Sequence, residues 1–171
     1  LSFNVLNDFE YAGIINDVGA GLGHVAADLG VGWIAMHSPA PPTVMAEHCG
    51  YEDVVAEVTE ALAGAAAEAA RMGAPKVWID PGIGFGKTQA HNLALLRGLS
   101  LFHGIGCPIL LGTSRKRFIG AIGHAERPEA RMPGSVATAL AGVAQGVQIV
   151  RVHDVAATRQ ALRLWQAMNT D

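Results

Sequence analysis

Charge, aromatic residues and cysteine are all scarce in this chain. Of 171 residues, 16% are charged and 6% are aromatic, and the net charge is −3. No block of like charges occurs, so a nucleic-acid-binding surface is not expected, whereas a small anionic ligand is compatible. The only cysteines, Cys49 and Cys107, lie far apart without a zinc spacing. That argues against a disulfide framework and fits a reducing cytoplasm. No apolar run is long enough to span a bilayer, and no signal-peptide pattern is read, so no membrane partner is expected. Position 1 is leucine rather than methionine, so a piece of a longer chain is expected. Apolar residues are plentiful, at 50%. They suffice for one core, and residues 1–171 read as one domain.

The most informative stretch is Lys76-Val-Trp-Ile-Asp-Pro-Gly-Ile-Gly-Phe-Gly-Lys-Thr88. A short apolar run reads as a buried strand. It ends on a carboxylate, Asp80, and enters a glycine-rich turn. Burying an acid there is costly unless it has a partner. In parallel α/β proteins the carboxyl ends of strands hold ligands. Asp80 is therefore a candidate ligand-holding carboxylate, and the glycines let backbone approach the ligand. A nucleotide P-loop is the rival reading. Gly86-Lys87-Thr88 supplies its end, but Pro81 stands where the first glycine is required and Gly82 falls one residue late.

Along the chain, Gly13–Val18 reads as a strand, Leu22–Leu29 as a short helix and Trp33–His37 as a second buried strand. Ser38–Gly50 carries three prolines and reads as a loop. From Glu52 to Met72, Val54, Val58, Leu62, Ala65, Ala69 and Met72 recur three or four apart, the period of a helix, which Gly73 stops. The strand ending at Asp80 follows, then a helix over about His91–Phe102 and a strand over Pro108–Gly112. Ser114–Ile122 reads as a helical turn capped by Ser114, and Gly134–Ala144 as a small-residue helix. Val147–Val152 is the last strand. Val155–Met168 closes the chain, with Ala161, Leu164, Trp165 and Met168 expected on one face. Strands apolar on both faces that alternate with helices mean a parallel sheet. The pattern fits either a complete five-stranded doubly wound sheet or the later part of a (β/α)8 barrel, about five βα units.

Polar residues gather at the same end of every strand: Asn16 and Asp17, then Met36 and His37, then Asp80. Ser114, Arg115 and Lys116 follow the fourth strand, and Arg151, His153 and Asp154 follow the fifth. Each has a plainer reading. Asn16 suits a turn, His37 a satisfied core histidine, Arg115 to Arg117 a solvated basic turn, and Asp154 the cap of the last helix. The coincidence of five strand ends gives the functional reading its weight, because a parallel barrel turns all of them to one mouth.

The order Ile14-Ile-Asn-Asp-Val18, Met36-His37, Asp80-Pro-Gly-Ile-Gly-Phe-Gly-Lys-Thr88, Gly112-Thr-Ser-Arg-Lys-Arg-Phe-Ile-Gly120 and Arg151-Val-His-Asp-Val155 resembles the motifs of the dihydropteroate synthase family, from about Gly13 onward. The resemblance implies a (β/α)8 TIM-type barrel, here incomplete. It implies a transferase of folate biosynthesis that joins 6-hydroxymethyl-7,8-dihydropterin diphosphate to p-aminobenzoate and releases diphosphate. By resemblance Asp80 accepts two pterin N–H bonds, Asn16 completes that edge, and Lys116 meets the ring carbonyl and nitrogen. Met36 and Phe85 pack near the ring, and Gly112 borders the substrate. Ser114 helps place the p-aminobenzoate carboxylate. Arg151 and His153 take the diphosphate and, with Lys116, form the catalytic set. Mg2+ is implied with the diphosphate, its protein ligands unassigned, and a cytoplasmic homodimer through the last helices is implied as well.

The chain departs from the family at its start. The early Asn-Val-Thr-Pro-Asp-Ser-Phe-like motif, the Thr-Arg loop and the Ser-Ile-Asp-Thr strand are not found intact. Leu1-Ser-Phe-Asn4 reads as an altered form of that last strand, with Asn4 where an acid is expected. The loop Met36-His-Ser-Pro-Ala-Pro-Pro42 lacks the expected glycine. A non-catalytic pterin-binding fragment or degenerate homologue is therefore the alternative to a synthase. A pterin-binding methyltransferase is disfavoured by the Ser-Arg-Lys and Arg-Val-His motifs.

Overall fold

A computed structural model describes residues 13–169 and the backbone of residues 4–6. The strands are β1 (Asn4–Leu6), β2 (Ile14–Val18), β3 (Gly32–Met36), β4 (Val77–Asp80), β5 (Leu110–Leu111) and β6 (Ile149–Arg151). The helices are α1 (Gly23–Leu29), α2 (Val54–Arg71), α3 (Gln89–Arg97), α4 (Arg117–Ile122), α5 (Met132–Ala144) and α6 (Val155–Asn169). All strand pairs are parallel. β2, β3 and β4 are consecutive neighbours, β5 lies beside β6, and a parallel bridge from Ile79 to Ile109 links the two groups. From β2 to β6 the order never reverses. A doubly wound sheet reverses at its switch point, whereas a (β/α)8 barrel does not. The fold is thus α/β of the barrel type.

Leu1–Ser2–Phe3 lie outside the described residues. The strand that is described there, Asn4–Leu6, runs beside β6, on the far side of the sheet from β2. The reading of Leu1–Asn4 as the strand next before β2 is therefore not met. In barrel order, the neighbour of the last strand is a first strand.

Side chains alternate across each strand. One face packs under the helices. Trp33, Ala35, Ile79, Ile109, Leu111 and Val150 meet residues of α2, α3, α5 and α6 there, including Val58, Leu62, Leu95 and Leu162. The other face carries a smaller cluster, Ile34, Trp78, Leu110 and Ile149, with Ile14 against it. Two residues further on, the same face carries Asn16, Met36, Asp80, Gly112 and Arg151. The period of two thus lays the candidate site directly above an apolar layer. Register brings the ends level: Val18 is opposite Met36, and Met36 opposite Asp80.

The helices follow their sequence signals with three corrections, and one strand is shorter than expected. α2 starts at an Asp53 cap, whose carboxylate accepts from the amides of Val55 and Ala56 at 3.0 and 3.1 Å. It buries Val54, Val58, Leu62, Ala66 and Ala69. The expected His91–Phe102 helix is broken. α3 starts earlier, from a Thr88–His91 capping box, and stops at Gly98, after which Leu99–Ile105 tighten into a 3-10 helix that buries Leu99 and Phe102. Glycine is a poor helix former, so the break falls there. The expected Pro108–Gly112 strand pairs in a ladder only over Leu110–Leu111, because Pro108 has no N–H to give and Gly112 lies beneath a guanidinium. α4 begins at Arg117 without a side-chain cap, and Ser114 is engaged elsewhere. In α6 the buried residues are Thr158 and Leu162, with Val155 and Trp165 partly packed, while Leu164 and Met168 are 63% and 67% exposed. The stripe 155, 158, 162, 165 fits the helical period toward the sheet, and Leu164 and Met168 fall off it.

Candidate functional site

Asp80 ends β4 with 1% of its surface exposed. Its Oδ1 accepts the Gly82 amide at 2.8 Å, and its Oδ2 accepts Arg151 Nη2 at 3.0 Å. Arg151 Nη1 donates to Asn16 Oδ1 at 2.6 Å. One guanidinium thus joins the ends of β2, β4 and β6. Gly112 makes room for it, since a Cβ there would stand 2.6 Å from Arg151 Nη2. Met36 is fully buried between these strand ends. Asp17, the neighbour of Asn16, faces the helices instead. Its Oδ2 accepts the Leu22 amide and the Trp33 indole at 2.6 and 3.1 Å, which is a structural task.

The glycine turn is shaped by close approach. Gly82, Gly84 and Gly86 have φ of 68°, 82° and 55°, in the left-handed region. A Cβ on Gly82 would lie 1.8 Å from the His37 carbonyl oxygen. The buried Asn92 of α3 accepts the Gly84 amide at 2.7 Å. Lys116 donates to the Ile83 carbonyl, and its ammonium stands 4.4 Å over the Phe85 ring. Lys87 does not project outward as a P-loop lysine would. It is 9% exposed and reaches His37 Nδ1 at 3.0 Å, the Phe85 carbonyl at 3.0 Å and the His37 carbonyl at 3.5 Å.

A second turn brings Ser114 and His153 together. Ser114 Oγ accepts the His153 amide at 3.1 Å and lies 3.0 Å from His153 Nδ1. Arg115, at φ 58°, points away from this pair and forks onto Asp154 at 3.1 and 2.6 Å. Its amide donates to Ser135 Oγ and its carbonyl accepts from Arg131. Asp154 keeps its place at the head of α6 through its carbonyl, which accepts the Thr158 amide, while its carboxylate serves Arg115. Of the expected solvated turn, Arg117 is exposed, while Arg115 and Lys116 are half-buried.

Beside the Phe85 turn lies an open cleft of about 580 Å³. Lys87, Arg115, Lys116 and Arg117 line it, and no acid does. The crowding of cations leaves its mark. Burial lowers Lys87 to about 7, with Asp80 opposing and Lys116 adding to the shift. Burial likewise lowers Lys116 to about 8, against the pull of Asp80 and with the push of Arg151. His37 falls to about 4 through burial and the nearby Lys87. Such a site suits a flat neutral ring with hydrogen-bonding edges that carries an anionic tail. Among the described residues, no three of His, Cys, Asp or Glu gather to hold a metal ion.

Sequence reading placed Asn16, Met36, Asp80 and Arg151 at the same end of the strands, and the structure brings them together with Gly112, which the family resemblance had set beside the substrate. Phe85 and Lys116 meet at its rim, and Ser114 pairs with His153. Three features were missed: Arg151 sits on Asp80 and Asn16, Asn92 braces the turn, and Lys87 is buried beneath it. Each depends on contacts between distant segments, although Gly86-Lys87-Thr88 did mark Lys87.

Known proteins bear on this geometry. A family model described as "Pterin binding enzyme" matches residues 5–153. The dihydropteroate synthase of Neisseria meningitidis serogroup C is 42% identical over 168 residues, covering 96% of this chain and 58% of that protein. The crystal structure of the Thermus thermophilus dihydropteroate synthase in complex with 4-aminobenzoate superposes with a TM-score of 0.89 at 46% identity, over 92% of this chain and 66% of that one. That of Xanthomonas albilineans in complex with 7,8-dihydropteroate has a TM-score of 0.85 at 44% identity, over 94% and 62%. The chain spans somewhat over half the length of the curated relatives it matches. With its motifs, its barrel-type sheet and a family model that covers most of its length, the chain belongs to the pterin-binding enzyme family.

Proposed function

We propose that residues 1–171 belong to the pterin-binding domain of a dihydropteroate synthase. The reaction joins 6-hydroxymethyl-7,8-dihydropterin diphosphate to p-aminobenzoate. The observation that carries this reading is Asp80, buried to 1% at the end of β4 and linked through one guanidinium to Asn16. A pterin edge offers parallel N–H groups, and a fixed carboxylate is a suitable acceptor for them. Asn16 adds an acceptor and a donor, and Lys116 supplies the positive donor for the ring carbonyl. Phe85 and Met36 give apolar surface near the ring.

The chemistry is a displacement at the pterin methylene carbon. The amine nitrogen of p-aminobenzoate bonds to that carbon, the carbon–oxygen bond to diphosphate breaks with its electron pair, and the amine loses a proton. Charge grows on the departing oxygen. Arg151, released from Asp80 as the pterin takes its place, and His153 face that charge, which fixed cations stabilise best in a dry site. Ser114 and the cationic cleft beside Phe85 suit the p-aminobenzoate carboxylate. The implied Mg2+ finds no donor set of its own among the described residues, and the site carboxylate is committed to Arg151 and Gly82. Mg2+ enters this proposal only as an ion that the diphosphate would bring. A cytoplasmic homodimer belongs to the same proposal, supported by the scarce cysteines and by exposed Leu164 and Met168 on α6.

Isothermal titration with the dihydropterin diphosphate tests the assignment. Asp80→Asn keeps the shape and removes the charged acceptor. Pterin affinity is expected to fall by about 1.5–3 kcal/mol, the worth of a charge-assisted hydrogen bond. Unchanged affinity in that variant sinks the proposal. A product assay on the wild-type chain then separates a synthase from a non-catalytic pterin binder.

A further inference from the structure

Lys87 is a buried cation to which the displacement gives no task. Its ammonium has three N–H groups, and three acceptors stand around it: His37 Nδ1, the His37 carbonyl and the Phe85 carbonyl. The first two belong to the end of β3, and the third to the glycine turn after β4. The ammonium also lies 3.3 Å from the Cβ position of Gly82, directly under the turn. Every acceptor is thus a part of the protein, and the lysine spans the gap between two adjoining strand ends.

We propose that Lys87 is a positioning residue, whose ammonium ties the Gly82–Gly86 turn to the end of β3 and so holds Phe85 and the Ile83 carbonyl against Lys116. The inference rests on the pterin-site reading for its consequence, but the tie itself is a property of the free protein. The tie explains why a lysine is buried here at all. An apolar residue would fill the space without the desolvation cost, yet would leave two carbonyls and a ring nitrogen without their donor. It also sets the His37 tautomer, since Nδ1 must accept and Nε2 must carry the proton.

The tie is sensitive to protons near neutral pH. The groups that face Lys87 are His37 from β3, Asp80 from β4, Lys116 from the loop before α4, and Cys49 with the Tyr51 ring from the loop before α2. Burial dominates, and the lysine falls to about 7. Below that value three donors are present. Above it one is lost, and the turn loosens. His37, at about 4, stays neutral through this range, so its Nδ1 is able to accept from the ammonium while Lys87 is charged.

The test uses the chain labelled at lysine Cε, which gives three signals, one each for Lys76, Lys87 and Lys116. Lys87→Met and Lys116→Met assign them. The Lys87 signal is expected to titrate near 7, and the backbone amides of Gly82, Gly84 and Phe85 are expected to move with the same midpoint. That shared step should vanish in Lys87→Met and persist in Lys116→Met. A merely space-filling lysine would titrate without moving those amides, and that result in the wild-type chain overturns the inference; should Lys87→Met not fold, Lys76→Met at an exposed position, together with Lys116→Met, assigns the Lys87 signal by elimination. Affinity for the dihydropterin diphosphate is then measured across the same range. A loss of about tenfold is expected in Lys87→Met at pH 6, the effect of about one hydrogen bond, shrinking as the pH rises past 7. Equal affinity of wild type and Lys87→Met at pH 6 overturns the positioning role. If the amides follow Lys87 but the wild type binds no pterin, the tie stands and the pterin-site reading falls.

Discussion

Arg151 decides what Asp80 can do before any ligand arrives. Its guanidinium occupies Asp80 Oδ2 and Asn16 Oδ1, the two oxygens proposed for the pterin edge. A ligand must displace it, and the diphosphate gives it somewhere to go. Substituting Arg151 or His153 is therefore expected to weaken the diphosphate ester far more than plain hydroxymethylpterin, as measured by titration of both. Equal losses for the two ligands would mean that these residues support the fold. Lys116 brings a pH dependence. Burial holds it at about 8, so its charge is present below that value and absent above it. A pterin carbonyl that accepts from the ammonium should bind less tightly as the pH rises through 8, and Lys116→Met should bind weakly with no such step. Stability runs the other way. The unfolded chain keeps its lysines protonated to about 10.4, so between the folded and unfolded values it binds more protons than the fold does. Lys116 and Lys87 each therefore make the fold more stable as the pH rises from their lowered values toward about 10, a trend that urea melts can follow.

Among the elements, the glycine turn is the most constrained. Gly82 combines a φ of 68° with a Cβ position 1.8 Å from the His37 carbonyl oxygen. Gly82→Ala cannot be absorbed by a flexible side chain, because the obstacle is backbone. The left-handed conformation alone costs about 1–2 kcal/mol, and displacing the backbone adds to it. Chemical denaturation should show a loss above that figure, and the same variant should lose pterin affinity because the Gly82 amide partners Asp80. Gly73→Ala provides the control. Its φ of 79° carries the same conformational cost, but nothing lies within 4 Å of its Cβ position. It should lose stability while keeping pterin affinity.

At the scale of the whole molecule, the described strands form an open sheet. β2 has β3 as its ladder partner on one side, and β1 has β6. Edges of this kind carry unpaired N–H and C=O groups and invite pairing with another strand. The inner layer of Ile14, Ile34, Trp78, Leu110 and Ile149 is of the kind that a full barrel covers. The chain alone is expected to bind pterin weakly and to turn over little, because orienting the second substrate is a large part of the barrier. Adding the upstream portion of a relative, in cis or in trans, should raise turnover and shift the protein toward a single species in sedimentation. A monodisperse 171-residue monomer with ordinary synthase rates would contradict this expectation.

Local rules reached much of this molecule. Apolar runs marked β2, β3, β4 and β6, helical spacing marked α2, and the acid at a glycine turn marked Asp80, because each follows from periodicity or from the cost of burying a charge. The boundaries that slipped have two causes. The helix expected through Phe102 breaks at Gly98 for a local reason, the poor helix propensity of glycine, whereas Ser114 abandons its cap for His153, a partner from a segment far along the chain. The apolar face of α6 turned with the sheet it meets, leaving Leu164 outside. The same holds for chemistry. Residue type and strand end identified Asn16, Asp80 and Arg151 as candidates. That Arg151 rests on both of the others, and that Lys87 lies beneath the turn with its charge weakened by burial, required the folded arrangement, because hydrogen-bond partners and desolvation are properties of surroundings and not of spacing.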